Sequence, residues 1–277
     1  MSILINASNL LMKTPDLIKK NSYKFWQKWS IAVKIIPLIL LIISLKLLFH
    51  KFELEVMELN ALFTSLVAGT IFLIGFLISG VLTDYKESEK IPSELSASLK
   101  TLFDDTYTIY KGKNSENALQ FIEYQKAFIE SLLDWFYKKE RTQSLLEKIS
   151  GMNDYFVELD KEGVQAGYII KMKNEQSNVR KMILRIDTIR DTDFVGSAYA
   201  ILEAMGFIIA LGLIVIKIDP FYASLFFTSM VTFLIFYMFM LIKDLDNPFD
   251  YSLKGENGTE IPLKPIKDLE KALKNYM

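Results

Sequence analysis

Four apolar runs divide the chain, and the polar stretches between them set its plan. Residues 59–83 and 220–242 carry no charged side chain and exceed the ~20 residues a helix needs to cross the hydrocarbon of a bilayer. The run 31–50 contains Lys34, Pro37 and Lys46. Both lysines lie near its ends, where long side chains can snorkel to the headgroups, so the run predicts a span with a kink near Pro37. The run 194–216 is apolar except for Glu203, a carboxylate about two turns in from the end that meets the polar middle of the chain.

That middle segment, 84–193, is polar with amphipathic texture and little Gly or Pro, which predicts helices. Ile91-Pro92-Ser93-Glu94 starts one, with Pro in the first turn. Ser115-Glu116 starts another, which carries Leu119, Ile122, Phe128, Leu132, Leu133 and Phe136 at three-to-four spacing. A third, long pattern runs over 153–190, with Val179, Ile183, Ile186 and Ile189 beside Arg180, Lys181, Arg185 and Arg190. No run of alternating β-branched residues predicts a strand, and no internal repeat is present.

Short flanks rich in Lys and Arg stay cytoplasmic. Lys13, Lys19, Lys20, Lys24 and Lys28 precede the first run; Lys243, Lys254, Lys264, Lys267, Lys271 and Lys274 follow the last. The two short loops instead offer Lys51 against Glu53, Glu55 and Glu58, and Lys217 against Asp219. Both termini and the middle segment are therefore expected in the cytoplasm. No separate signal-peptide core precedes the first run, so no cleaved secretory signal is expected.

Composition narrows the chemistry. With 51% hydrophobic residues and a formal charge of -1, the chain is too apolar for an ordinary soluble domain and has no overall pull toward nucleic acid. It has no Cys, which excludes disulfides, thiolate metal sites and Cys nucleophiles. Its one His, His50, ends the first apolar run and reads as a polar residue at the membrane boundary. There is no Gly-rich phosphate loop, nucleophile elbow or His-Glu-x-x-His. Carboxylate pairs such as Asp104-Asp105 read as solvated helix surface. No enzyme, metal site or cofactor is expected.

The second run carries a more specific signal. It mixes Ser65, Ala68, Gly69, Gly75, Ser79 and Gly80 with Phe72 and Phe76, and the spacing puts Ala68, Phe72 and Phe76 along one face. Small residues allow close helix packing in lipid. Copies of this helix around an axis would stack phenylalanine rings into an apolar constriction; alternatively the rings face lipid or a neighbouring helix. Glu203 either marks an ion pathway or makes a structural hydrogen bond. The acidic loop Glu53, Glu55 and Glu58 either gathers cations or is simply solvated.

The last span is followed by Lys243-Asp244-Leu245-Asp246-Asn247-Pro248-Phe249-Asp250, then by Glu260-Ile261-Pro262-Leu263. These two segments resemble the acidic stretch ending in Asp-Pro-Phe, and the later Asp-Leu-Pro-Leu, of the bestrophin family of ion channels. Gly75-Phe76, preceded by Phe72 and followed by 83–92, is similar to that family's Gly-Phe and the Arg-Trp-Trp or Arg-Tyr-Trp stretch beyond it. The resemblance extends over nearly the whole chain through the order of two spans, a long helical block, two more spans and a Pro-Phe tail. It departs at Asp84, where the family has a basic residue, at Tyr85-Lys86 in place of a tryptophan pair, and at 193–197 in place of a Pro-rich approach to the third span.

The resemblance implies an all-α, polytopic membrane protein with four transmembrane helices, a helical cytosolic domain and five subunits around an axial pore. It implies Ala68, Phe72 and Phe76 as neck residues, and Asp246, Asn247, Pro248 and Phe249 as an intersubunit clasp. In animal members the clasp binds calcium; here Asp244, Asp246 and Asp250 are few and Lys254-Gly255 follow, so no metal is expected. The expected organisation is a cytosolic segment 1–30, spans in 31–83, a cytosolic helical domain 84–193, spans in 194–243 and a cytosolic tail 244–277. The expected function is passive conduction of chloride or other small anions by a homopentamer in a prokaryotic inner membrane, with the lipid bilayer, small ions and its own copies as partners. A cation-conducting channel, toward which Asp84 and Glu203 lean as possible pathway residues, and a non-conducting scaffold that binds a cytosolic partner through aromatic-rich 115–140 are the alternatives.

Overall fold

A computed structural model describes residues 29–192, 196–251 and 260–276. The lysines at positions 13 to 28, the departure at 193–195 and the pair Lys254-Gly255 lie outside them. The chain divides into two compact units, one of residues 1–82 and 194–245 and one of residues 83–193 and 246–277.

In the first unit, the four expected spans are α1 (Trp29–Lys51), α2 (Ala61–Ser88), α7 (Gly196–Val215) and α8 (Phe221–Asp246). Each contains a stretch long and apolar enough to cross a membrane, and the chain is an integral membrane protein. The last span, α8, runs beyond 242 to take in Lys243, Asp244 and Asp246, because no breaker occurs before Pro248. Phe63, Ile74, Leu77 and Val81 of α2 pack with Leu202, Ile209 and Leu213 of α7 and Ile235 and Ile242 of α8. Ile42 of α1 packs with Ala210 and Ile214. Two short strands were not expected from the pattern: β1 (Met57–Glu58) and β2 (Ile216–Lys217) pair in parallel. Two residues are too few for an alternating signature.

The second unit is a ring of four helices, α3 (Ile91–Lys113), α4 (Glu116–Phe136), α5 (Thr142–Lys161) and α6 (Ala166–Asp191). Each packs on the next, α6 returns to α3, and α9 (Lys264–Lys274) lies on α3 and α4. Pro92 sits in the first turn of α3 as expected, and the Ser115 hydroxyl accepts from the Ala118 N–H at the start of α4. The long pattern over 153–190 is two helices, not one. Gly163 takes φ +70 between them, a left-handed backbone that glycine adopts at no steric cost. The Glu162 carboxylate then accepts hydrogen bonds from Ser115 Oγ and from Asn117 Nδ2 (2.6 Å), and Lys113 Nζ donates to the Glu162 and Gly163 carbonyls. This ties the ends of α3 and α5 to the start of α4, where a carboxylate also complements the helix dipole.

Candidate functional site

The buried stripe of α2 is Phe63, Thr70, Ile74, Leu77 and Val81. At ~100° per residue, Ser65, Ala68, Phe72, Phe76 and Ser79 fall on the opposite side, centred ~180° away. All five are exposed in the isolated chain, with Phe72 at 76% and Phe76 at 69%. A Cβ added at Gly69 or Gly75 would meet nothing within 4 Å, so these glycines are not packed against other parts of the chain. The outward faces of α1 and α8 are built differently. That of α1 carries Val33, Ile36, Leu40, Leu41, Leu47 and Leu48, and that of α8 carries Tyr222, Phe226, Phe227 and Met230; that of α7 is mixed, with Ser197, Ala200 and Ala204 beside Ile201, Phe207, Ile208 and Leu211. Large apolar side chains suit lipid, whereas a file of small residues broken by two rings suits close approach to other protein or a narrow passage.

Behind this face, α2 is held by close packing. Thr70 Oγ1 donates to the Leu66 carbonyl at 2.9 Å and lies 3.8 Å from Met205 Sδ of α7. Phe63 fits against Gly212, where a Cβ would come within 2.3 Å of the ring. Glu203 lies on the outward side of α7 among Phe207 and Leu211, and is exposed in the isolated chain, as is Asp84. Glu203 stands on α7, and Asp84, on α2 itself, lies ~120° around the helix from Phe72, so within one chain neither carboxylate is centred on the face of Phe72 and Phe76. Among the described residues no group of three or more His, Asp or Glu could hold a metal ion.

At the end of α2 remote from Leu82, two expectations are corrected. Lys46 does not snorkel to the headgroups: it is fully buried, with Nζ donating to the carbonyls of Ile214 (3.2 Å) and Ile216 (2.5 Å) and lying 2.6 Å from Glu55 Oε1. Nor is Glu55 a solvated loop residue, because its side chain is 6% exposed. The last carbonyls of α7, Ile214 among them, have no partners within the helix, and Lys46 of α1 donates to that one and to Ile216 of β2 just beyond it. Glu55 Oε2 meets His50 Nδ1 at 2.8 Å, and the His50 ring stacks on Phe221 at 3.6 Å between centroids. Burial works to raise the Glu55 pKa, but hydrogen bonds from His50 and Lys46 outweigh it and hold the carboxyl below the ordinary range. Only the Lys46–Glu55 spacing of opposite charges across the run boundary could have hinted at this cluster.

In the helical unit, the two tail motifs meet. The Ile261 N–H donates to the Pro248 carbonyl at 3.0 Å, and Tyr251 Oη donates to the Ile261 carbonyl at 2.5 Å. Phe249 is fully buried in the core of its own chain, with its ring 6.4 Å from that of Phe136. Pro248 is buried, Asp246 ends α8, and the Asn247 Oδ1 is buried without a hydrogen-bond partner. Arg190 donates to the carbonyls of Phe249, Trp135 and Phe136 and stacks over the Trp135 ring at 4.4 Å. Burial pulls its pKa down, with Tyr251 and Asp187 acting in the other direction. The aromatic residues of α4 that would have supported a docking surface, Phe121, Phe128, Trp135 and Phe136, are all buried in the unit's core.

No family model and no curated protein matches the sequence. Solved structures do match in fold. A crystal structure of a variant of a bacterial bestrophin homologue from Klebsiella pneumoniae aligns at TM-score 0.71 and 17% identity, covering 87% of this chain and 98% of that one. A second variant of a bacterial bestrophin homologue from the same organism aligns at 0.72 and 16%, covering 88% and 98%. A structure of a bacterial bestrophin homologue from that organism, phased on zinc, aligns at 0.70 and 16%. At such identity the likeness speaks for architecture, and it covers most of the chain: the chain has the bestrophin fold.

Proposed function

We propose that this chain is one subunit of a bestrophin-type ion channel, a homopentamer in which α2 of each copy lines an axial pore. Ala68, Phe72 and Phe76 form its neck, and chloride or other small anions pass down their gradient. The observation that carries this reading is the outward face of α2, where small residues and two exposed phenylalanines stand opposite the stripe that packs inside the chain. Stacked rings at that level would strip part of an ion's hydration and close by dewetting. The helical unit serves as a cytosolic vestibule and both termini face the cytoplasm of a prokaryotic cell; of the four expected clasp residues, Pro248 and Phe249 are buried within their own chain and anchor the tail there, which leaves the half-buried Asp246 and Asn247 to meet neighbouring subunits. The fold shared with bacterial bestrophin homologues supports the reading.

The test is the reversal potential of the purified protein in a planar bilayer under a KCl gradient, with the double variant Phe72→Ala, Phe76→Ala alongside. A potential near the chloride equilibrium value and a larger or ungated conductance in the variant are expected. A potential near the potassium value would assign cation conduction to the same pore, a reading favoured by the exposed carboxylates Asp84 and Glu203. Unchanged currents in the variant would remove Phe72 and Phe76 from the pore, and silence in both would favour a scaffold.

A further inference from the structure

The cluster at the β1–β2 end of the membrane unit joins α1, the loop into β1, the end of α7, β2 and the start of α8. Lys46 and His50 come from α1, Glu55 from the loop that leads into β1, the Ile214 and Ile216 carbonyls from α7 and β2, and Phe221 from the first position of α8. Lys46 and Glu55 are shut away from water, whereas the His50 side chain is 45% exposed. Protons therefore reach the cluster through the imidazole. We propose that this cluster is a proton-operated latch: protonation of His50 tightens Glu55 against α1 and thereby fastens the β1–β2 pair and the end of α7.

The geometry sets the direction. The carboxylate accepts from Nδ1, so the neutral ring carries its proton there and Nε2 is the site that gains one. Adding that proton leaves the 2.8 Å contact in place and makes it an ion pair, the stronger kind of hydrogen bond. It also places a cation on the face of Phe221, against which the ring lies at an interplanar angle of 14°. Glu55 can serve two cations because each takes a different oxygen: Oε1 faces Lys46 and Oε2 faces His50. Among the described residues, the other charged groups at this end of the surrounding elements are Lys51 on α1, Glu53 before β1, Glu58 in β1, Lys217 in β2 and Asp219 before α8, all exposed and so screened by salt. Ile214 lies two residues beyond Gly212, against which Phe63 of α2 packs, so fastening α7 here also steadies the back of the helix proposed to line the pore. That last consequence rests on the channel reading; the latch does not.

The experiment is hydrogen–deuterium exchange of the full-length protein in lipid nanodiscs at about pH 8 and about pH 5.5, which bracket the usual titration of imidazole, with rates corrected for intrinsic chemistry. Wild type, His50→Gln and Glu55→Gln are compared over segments 54–60 and 214–219. In wild type, protection of these segments should rise roughly fivefold at the lower pH, the scale of making one hydrogen bond charge-assisted, while α4 stays unchanged. His50→Gln, altered at a part-exposed position that tolerates the change, should show equal protection at both values, and Glu55→Gln should be less protected than wild type at both. A wild type without the rise, or a rise that persists in His50→Gln, would overturn the latch. Because exchange is read without any current, a latch that responds in a protein that does not conduct would count against the channel reading alone.

Discussion

Replacing Gly212 by alanine isolates the contact that seats α2 against α7. The new Cβ would lie 2.3 Å from Phe63 Cε2 and 3.1 Å from Cζ, whereas carbon atoms rest at about 3.5–4.0 Å. The ring must retreat by more than an ångström, yet Phe63 is 8% exposed and has little room. Overpacking of this kind costs about 1–3 kcal/mol. A clash at 2.3 Å belongs in the upper part of that range, about 2–3 kcal/mol, and alanine is the better helix former by about 1 kcal/mol, so Gly212→Ala should lose about 1–2 kcal/mol net. Phe63→Leu alone should lose a similar amount through the cavity it leaves, about 1–2 kcal/mol. The double variant fills that cavity with the new methyl and should lie close to wild type, giving a coupling equal to the two single losses together, about 2–4 kcal/mol. The assay is the thermal midpoint in detergent, read as the folded peak surviving on size exclusion, where each single variant should fall by roughly 3–8 °C. Additive losses in the double variant, or a Gly212→Ala protein more stable than wild type, would refute the argument.

Arg190→Met keeps the packed stem and removes the donors to the carbonyls of Phe249, Trp135 and Phe136. It should cost about 2–4 kcal/mol and free the tail, read as faster proteolysis between positions 250 and 262; intact resistance would count against Arg190 as the tail's anchor. Gly163→Ala forces a Cβ into φ +70 and should cost about 1–2 kcal/mol by thermal melting, while an unchanged midpoint would mean that the turn relaxes freely. For Glu140, burial acts to raise the pKa but hydrogen bonds from Lys148 and Ser144 prevail and lower it. Its stabilisation is therefore present above the ordinary carboxylate range and is lost as pH falls through the lower folded value. Glu140→Gln should flatten the acid limb of the melting profile in that window, and an unaltered limb would contradict the assignment.

The four spans were legible because a membrane imposes a length and polarity that no other solvent demands, and α1, α2, α7 and α8 stand where the apolar runs predicted. Local chemistry also sufficed for the starts of α3 and α4, since Pro92 and Ser115 act within one turn, and for the stripe Val179, Ile183 and Ile186 that α6 buries. The spacing of Ala68, Phe72 and Phe76 placed them on one side of a helix. Only packing decided that this side points away from the chain's own core, because periodicity marks a face without saying what it meets. The break between α5 and α6 escaped notice because one glycine at left-handed φ outweighs an apolar rhythm that continues across it. Lys46 and Glu55 looked like boundary charges, and tertiary structure made them a buried pair: carbonyls left unpaired at the end of α7 came within reach of a lysine on α1. Sequence determined which segments leave water, because that depends on each segment alone. Where a buried charge finds its partner depends on residues 168 and 170 positions away, and only the folded chain brings them together.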